Sequence, residues 1–233
     1  YFNDPLYLLC VVYLFAVPAF QALCNRYSLY TPYRAQWKVI ISTYNFALAA
    51  YSLVSCLLMS FAIYRNGIFH MQEHADPLYV QVATVFYWSK YVEFLDTAFL
   101  ILAGKPVTWL QYLHHAGAPL DMGVHVLNKV PSAWIFVCLN GFIHTIMYTY
   151  YAYTILKWKF PGKQFITSLQ LIQFFSGLGM TTRYLNVPGF WDSEVCRVAW
   201  TFNVAYVGLL ILLFANFYFQ TYYGKKRPRK EAT

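Results

Sequence analysis

Seven stretches of this 233-residue sequence stay apolar for close to 20 residues. That is the length a helix needs to cross the hydrocarbon core of a bilayer. The stretches fall at 6–24, 39–63, 79–102, 108–127, 132–156, 165–184 and 198–221. Helix breakers and charges separate them: Asn25-Arg26 through Pro32, Arg65-Asn66-Gly67, Gly104-Lys105-Pro106, Asn128 through Pro131, Pro161-Gly162 and Pro188-Gly189. A β-barrel would read as ten-residue alternations instead, and none are present. Hydrophobic residues make up 59% of the chain and charged ones 11%. An ordinary soluble domain carries about 25% charge. Disorder and a water-soluble globule are therefore both excluded. The expected fold is an all-α integral membrane protein with seven transmembrane helices, one domain over residues 1–233 without repeats. The chain opens on Tyr1, so N-terminal residues are expected to be missing. The fourth stretch departs furthest from pure apolarity, since it holds two adjacent histidines, Pro119 and Asp121.

Lysine and arginine in short loops set orientation. Arg26, Arg34, Lys38, Lys105, Lys157, Lys159 and Lys163 fall on one side, together with Lys225, Lys226, Arg227, Arg229 and Lys230 of the tail. Basic residues on the other side are fewer and stand beside Glu73, Asp76, Asp192 and Glu194. The 224–233 tail is thus expected in the cytosol, and the N-terminus on the opposite face. The net charge of +8 reflects this asymmetry and attraction to anionic headgroups. No nucleic acid is expected as a partner. The five cysteines are scattered and form no CxxC pair, so neither a disulfide framework nor a thiolate metal site is suggested.

Ionisable groups at membrane depth mark a function or pair with one another. Lys90, Glu93 and Asp96 stand three residues apart, followed by Thr97. This spacing puts them on one broad helix face, where Lys90 can pair with Glu93 and share charge with Asp96. A self-neutralising structural network is an equal reading of Lys90 and Glu93. The next stretch carries Gln111, His114 and His115, then Asp121 and His125. Asn140, His144, Tyr148 and Tyr151 form one helical stripe, in which Asn140 and Tyr148 stand a turn either side of His144. Thr167, Gln170 and Gln173 follow at helical spacing, and interhelical hydrogen bonding accounts for at least one of them. At 1.5 Å per residue, Asp96 and His114 each lie about 9 Å from the cytosolic ends of their helices. Polar groups from four helices converge on one layer. They outline a pocket open to the cytosol above an apolar, aromatic floor, a shape for a molecule with a polar head and a long apolar tail.

A neutral imidazole can attack a thioester, and a carbanion can displace the acyl-imidazole that results. A competing reading is a di-iron membrane oxygenase or desaturase, because His70-x-x-x-His74 and His114-His115 look like pieces of histidine boxes. That class uses more histidines than the six here, and His70 and His74 fall on the opposite membrane face. A seven-helix transporter or receptor would explain intramembrane charges, but not a histidine pair facing a third.

The run Lys90-Tyr-Val-Glu93-Phe-Leu-Asp96-Thr97 resembles the KxxExxDT motif of the ELO family of very-long-chain fatty acid elongases. Asn140-x-x-x-His144-x-x-Met147-Tyr148-x-Tyr150-Tyr151 resembles the family's NxxxHxxMYxYY, and Thr167-x-x-Gln170-x-x-Gln173 its TxxQxxQ. The resemblance covers nearly the whole chain. The family's HxxHH box reads here Gln111-x-x-His114-His115, and a glutamine cannot exchange a proton near neutral pH. This QxxHH form, with Gly117-Ala118-Pro119 and Asp121-Met122 following, resembles a subset of algal and protist polyunsaturated fatty acid elongases.

The resemblance implies condensation of a long-chain acyl-CoA with malonyl-CoA to a 3-oxoacyl-CoA, CO2 and CoA. It implies seven helices, the last six around a narrow tunnel closed at the lumenal end. It also implies a multi-pass endoplasmic reticulum membrane location, and no metal or prosthetic group. Reductases, a dehydratase and a second copy in a homodimer are the partners to expect. Carried over, His114 takes the acyl group, while His144 and His115 stabilise oxyanions. Gln111 sets the tautomer of His114, and Lys90, Glu93 and Asp96 shape the charge at the thioester. Asn140, Tyr148, Tyr151, Thr167, Gln170 and Gln173 bind substrate, the two glutamines along the pantetheine arm. Lys157, Lys159 and Lys163 are candidates for the CoA phosphates, though topology explains them equally well.

Overall fold

A computed structural model of the chain describes residues 4–29, 35–69, 77–158 and 162–223. His70, His74, Lys159 and the basic 224–233 tail lie outside the described residues. The described chain is helical: α1 (Tyr7–Tyr27), α2 (Ala35–Asn66), α3 (Pro77–Val92), α4 (Phe94–Leu102), α5 (Trp109–Leu127), α6 (Ala133–Ile155), α7 (Lys163–Thr182) and α8 (Glu194–Tyr222), with a 3-10 turn at Arg183–Asn186. The helices begin and end at local signals. Thr108 and Ser193 cap α5 and α8 by accepting from the Gln111 and Cys196 amides. After α4, Gly104 at φ 68° turns the chain, with Lys105 N–H bonded to Leu100 O and Gly104 N–H to Ile101 O. Glycine alone takes this left-handed conformation without steric cost, and the paired bonds satisfy the last carbonyls of the helix.

Most helix ends fall within a few residues of the expected spans, and two spans differ in a way that bears on the site. The apolar run 39–63 belongs to a longer helix, Ala35–Asn66, because polar interfacial residues continue the backbone ladder past the apolar stretch. The run expected as one helix over 79–102 is two segments, α3 and α4, with Glu93 between them. There the Asp96 amide bonds to Glu93 O, three residues back, so the backbone tightens at a motif residue. Pro119 does not interrupt α5.

Among the described residues, three helices are long and apolar enough by themselves to cross a membrane: α1, most of α2, and α8. The other helices carry the histidines, glutamines, asparagine and hydroxyls noted above, or are shorter. Packing explains how they tolerate them. Neighbour contacts run α2–α3–α5–α8–α7–α6 and return to α2, while α1 lies against α4 and α5. α2 and α6 share the longest contact. Gly141 lets these two backbones close in, since a Cβ there would sit 3.0 Å from the Ser52 carbonyl.

The largest apolar cluster fills the end of the bundle holding the α5–α6 connection and the 3-10 turn. Tyr79, Phe86, Tyr87, Val124, Val130, Trp134, Tyr184 and Phe190 are buried in it. Hydrogen bonds tie its loops together: Tyr79 OH to Pro131 O at 2.5 Å, Tyr184 OH to Ile68 O at 2.6 Å and Trp134 Nε1 to Tyr184 OH at 2.5 Å.

Candidate active site

The junction of α3 and α4 supplies the first charges. Lys90 Nζ donates to Glu93 Oε1 at 2.6 Å and to Asn140 Oδ1 of α6 at 2.9 Å, and lies 4.1 Å from the centre of the Phe86 ring. Lys90 and Glu93 are each 4% exposed. An ion pair this deep persists only when both members are hydrogen-bonded. Asp96 does not join it. Its Oδ2 accepts from Tyr148 OH of α6 at 2.7 Å.

The three imidazoles come from α5 and α6. The ring of His114 lies 5.1 Å from that of His115 and 6.5 Å from that of His144. His144 is oriented otherwise than its helical neighbours suggested. Asn140 is taken by Lys90 and the Tyr148 hydroxyl by Asp96, so what faces His144 Nδ1 is Glu93 Oε1 at 3.6 Å, with the Tyr148 ring edge-on at 5.3 Å. Gln111 also finds another partner: its Nε2 donates to Thr97 Oγ1 at 3.3 Å.

These groups line a cavity of about 740 Å3 between the helices. Its wall includes Gln111, His114, His115, Glu93 and Asp96. The whole α6 stripe of Asn140, His144, Tyr148 and Tyr151 lines it, as do Thr167, Gln170 and Gln173 of α7. Lys38, Lys105, Lys157 and Lys163 stand on four different segments of the same wall. Gln170 Nε2 donates to Met147 Sδ at 3.4 Å, and buried Thr167 bonds to Lys163 O at 3.1 Å. These are the interhelical and local bonds expected of polar groups in an apolar bundle.

A second, narrow cavity of about 60 Å3 is lined by apolar side chains such as Phe86, Met122, Ile135 and Leu210, together with Lys90, Asp121 and Asn203. His114, Asn140, Gln173 and Phe174 line both cavities. His115 and His144 line only the wide one. Asp121 and His125 stay out of the histidine layer. Asp121 Oδ2 accepts from Asn203 Nδ2 of α8 at 2.8 Å, and His125 Nδ1 contacts the Asp121 carbonyl at 2.8 Å. Cys138 faces α2, where Cys56 donates to its carbonyl at 3.4 Å. Among the described residues, no three His, Cys, Asp or Glu side chains group as metal ligands would.

Sequence reasoning passed over three contributors. Tyr13 of α1 bonds to Thr97 Oγ1 at 2.8 Å, and nothing in the apolar run around it signals this. Tyr206 of α8 donates to the His114 carbonyl at 2.9 Å, and Asn203 meets Asp121. The i, i+3 spacing of these two polar residues within an apolar span was the available hint.

The sequence pattern of the family described as "ELO: GNS1/SUR4 family" matches residues 3–231. The chain is 34% identical to "Very long chain fatty acid elongase 2" of Mus musculus, over 97% of its own length and 78% of the relative's. It is 31% identical to "Very long chain fatty acid elongase 5" of Tachysurus fulvidraco, over 82% of this chain and 68% of that one. With "Very long chain fatty acid elongase 3" of Mus musculus the identity is 30%, over 94% and 83%. No solved structure matches the chain.

Proposed function

The chain belongs to the ELO family, and from that premise we propose that it condenses a long-chain acyl-CoA with malonyl-CoA through an acyl-histidine intermediate. The supporting observation is the place of His114, which lines both the wide cavity, where four lysines and the clustered polar side chains also stand, and the narrow one, whose lining is mainly apolar. A fatty acyl thioester has this division. Its nucleotide and pantetheine are polar, its chain is apolar, and its reactive carbonyl lies where the two meet. Of the three clustered histidines, His114 alone borders both spaces.

The reaction then has two halves. The His114 imidazole nitrogen attacks the thioester carbon, the C–S bond breaks, and CoA leaves as thiolate that takes up the imidazole proton. Malonyl-CoA next loses CO2, the electrons of the broken C–C bond remaining on its α-carbon. That carbon attacks the acyl carbonyl, the C–N bond to His114 breaks, and the imidazole takes one proton. The sum is acyl-CoA, malonyl-CoA and one proton giving 3-oxoacyl-CoA, CO2 and CoA. His115 and His144 stand close enough to stabilise the oxyanions, and the Lys90–Glu93 pair keeps charge balanced beside His144. Gln170 and Gln173 meet the pantetheine, with Asn140, Tyr148, Tyr151 and Thr167 completing the wall. No metal or prosthetic group enters this scheme.

In the bilayer, the proposal places seven spans, with α3 and α4 counted as one and the last six around an acyl tunnel. The residues form one domain in the endoplasmic reticulum membrane with the C-terminus cytosolic. The QxxHH form favours polyunsaturated acyl groups. The 3-oxo product requires a reductase and a dehydratase downstream, and a homodimer is the expected assembly. Intact-mass analysis of purified protein incubated with acyl-CoA alone tests the mechanism. An acyl adduct lost in His114→Ala and kept in His115→Ala supports it, and the reverse pattern reassigns the nucleophile. Absence of 3-oxoacyl-CoA after malonyl-CoA is added sinks the reading.

A further inference from the structure

Pro18 lies inside α1 and has no N–H for the Leu14 carbonyl four residues back. An unpaired carbonyl in hydrocarbon is costly. Another helix fills the gap: Tyr112 OH of α5 donates to Leu14 O at 2.5 Å. This bond fixes the height of α1 against α5. One residue earlier, the Tyr13 ring stacks on Tyr112 at 5.9 Å and packs on Phe94 at 4.5 Å, which leaves its hydroxyl 2.8 Å from Thr97 Oγ1. Tyr13 is 5% exposed and Thr97 0%. Thr97 Oγ1 also accepts from Gln111 Nε2, and Gln111 lines the wide cavity one turn before His114 and His115.

We propose that Tyr13, on a helix outside the ring, is a positioning residue for the histidine pair. A side-chain amide has a donor end and an acceptor end, and its orientation is decided by what it bonds to. Tyr13 holds the Thr97 hydroxyl, and Thr97 holds the amide nitrogen of Gln111 against the wall. The amide oxygen is then a fixed acceptor toward the cavity for an imidazole N–H of His114 or His115. α1 lines neither cavity, yet it reaches the chemistry through two hydrogen bonds. The inference rests on the reading of these histidines as the reacting groups.

Tyr13→Phe removes one hydroxyl and keeps the ring. The expected result is a kcat for 3-oxoacyl-CoA formation lower by about tenfold, the size of one lost hydrogen bond. KM for both substrates stays within about twofold, and the melting temperature in detergent moves by about 2–4 °C at most. In a Gln111→Leu background the same change has almost no further effect, because the relay is already cut. Equal losses in both backgrounds, or an unchanged kcat, overturn the proposal. Thr97→Val cuts the same relay and replaces Tyr13→Phe if that variant does not fold. A wild type that makes no 3-oxoacyl-CoA sinks the elongase reading alone. Carbethoxylation of His114 and His115 by diethyl pyrocarbonate, followed by peptide mass spectrometry, then decides without turnover. Rates altered in the same direction by Tyr13→Phe and Gln111→Leu support the relay, and any other pattern overturns it.

Discussion

The Lys90 ammonium lies 2.6 Å from the Glu93 carboxylate, where α3 gives way to α4, and both are nearly sealed from solvent. The same Glu93 oxygen is 3.6 Å from His144 Nδ1, so one carboxylate faces both a structural cation and an imidazole of the site. Asn140, on the far side of Lys90, completes the bridge between α3 and α6.

Breaking this pair from one side strands a buried charge. Lys90→Met or Glu93→Gln alone is expected to cost about 3–5 kcal/mol of stability, and the double substitution to recover most of it. Thermal unfolding in detergent reads the first part, and condensation assays the second. The double variant folds but stays inactive, because His144 has lost the carboxylate it faces. Stability losses that simply add would show that the two side chains do not compensate each other.

Gly117 is held to hydrogen by Tyr206. A Cβ at this position would run into the Tyr206 ring, whose hydroxyl bonds to the His114 carbonyl and whose side lines the narrow cavity. Gly117→Ala should lose about 1–3 kcal/mol through overpacking and turn over long chains more slowly. Adding Tyr206→Leu relieves the crowding and widens the narrow space, so stability returns and products lengthen. Gas chromatography of fatty acids from an expressing host measures the second effect. A Gly117→Ala variant as stable and active as wild type contradicts the argument.

Lys157 and Lys163 stand exposed on the wall of the wide cavity, and under the proposed function they meet the CoA phosphates. The double change to glutamine should raise KM for acyl-CoA about five- to tenfold, with kcat nearly constant, as expected for two solvent-accessible ion pairs. The defect should shrink as salt is added, since screening already weakens the wild-type contacts. A salt-independent KM would point to topology as the only role of these lysines.

Tyr112→Phe leaves the Leu14 carbonyl without the partner that replaces the missing Pro18 N–H. The expected cost is about 1–3 kcal/mol. Pro18→Ala supplies a backbone donor, so the double variant should regain stability that Tyr112→Phe lost. Unfolding temperatures of the four proteins decide it, and a double variant no better than Tyr112→Phe alone would refute the assignment.

The sequence by itself determined that the chain is helical and bilayer-sized, because apolar runs near 20 residues have few other solutions. It also carried the chemistry-bearing stripes, since residues three and four apart share a helix face whatever that helix packs against. Asn140, His144, Tyr148 and Tyr151 do line one wall. Periodicity says which residues share a face, but not which side chain from another helix will meet each one. Local reasoning paired Lys90 with Glu93, three residues apart, and that bond is present, but it let Asp96 share their charge and gave the orienting of His144 to Asn140 and Tyr148. Packing of α6 against α3 and α4 instead joined Asn140 to Lys90 and Tyr148 to Asp96, 50 and 52 residues away in sequence. Tyr13 met Thr97 across 84 residues. These partnerships depend on helix rotation and height, which are set by close packing such as Gly141 under α2 and by single bonds such as Tyr112 to Leu14. Such terms exist only once the helices are side by side, so only the tertiary structure could decide them.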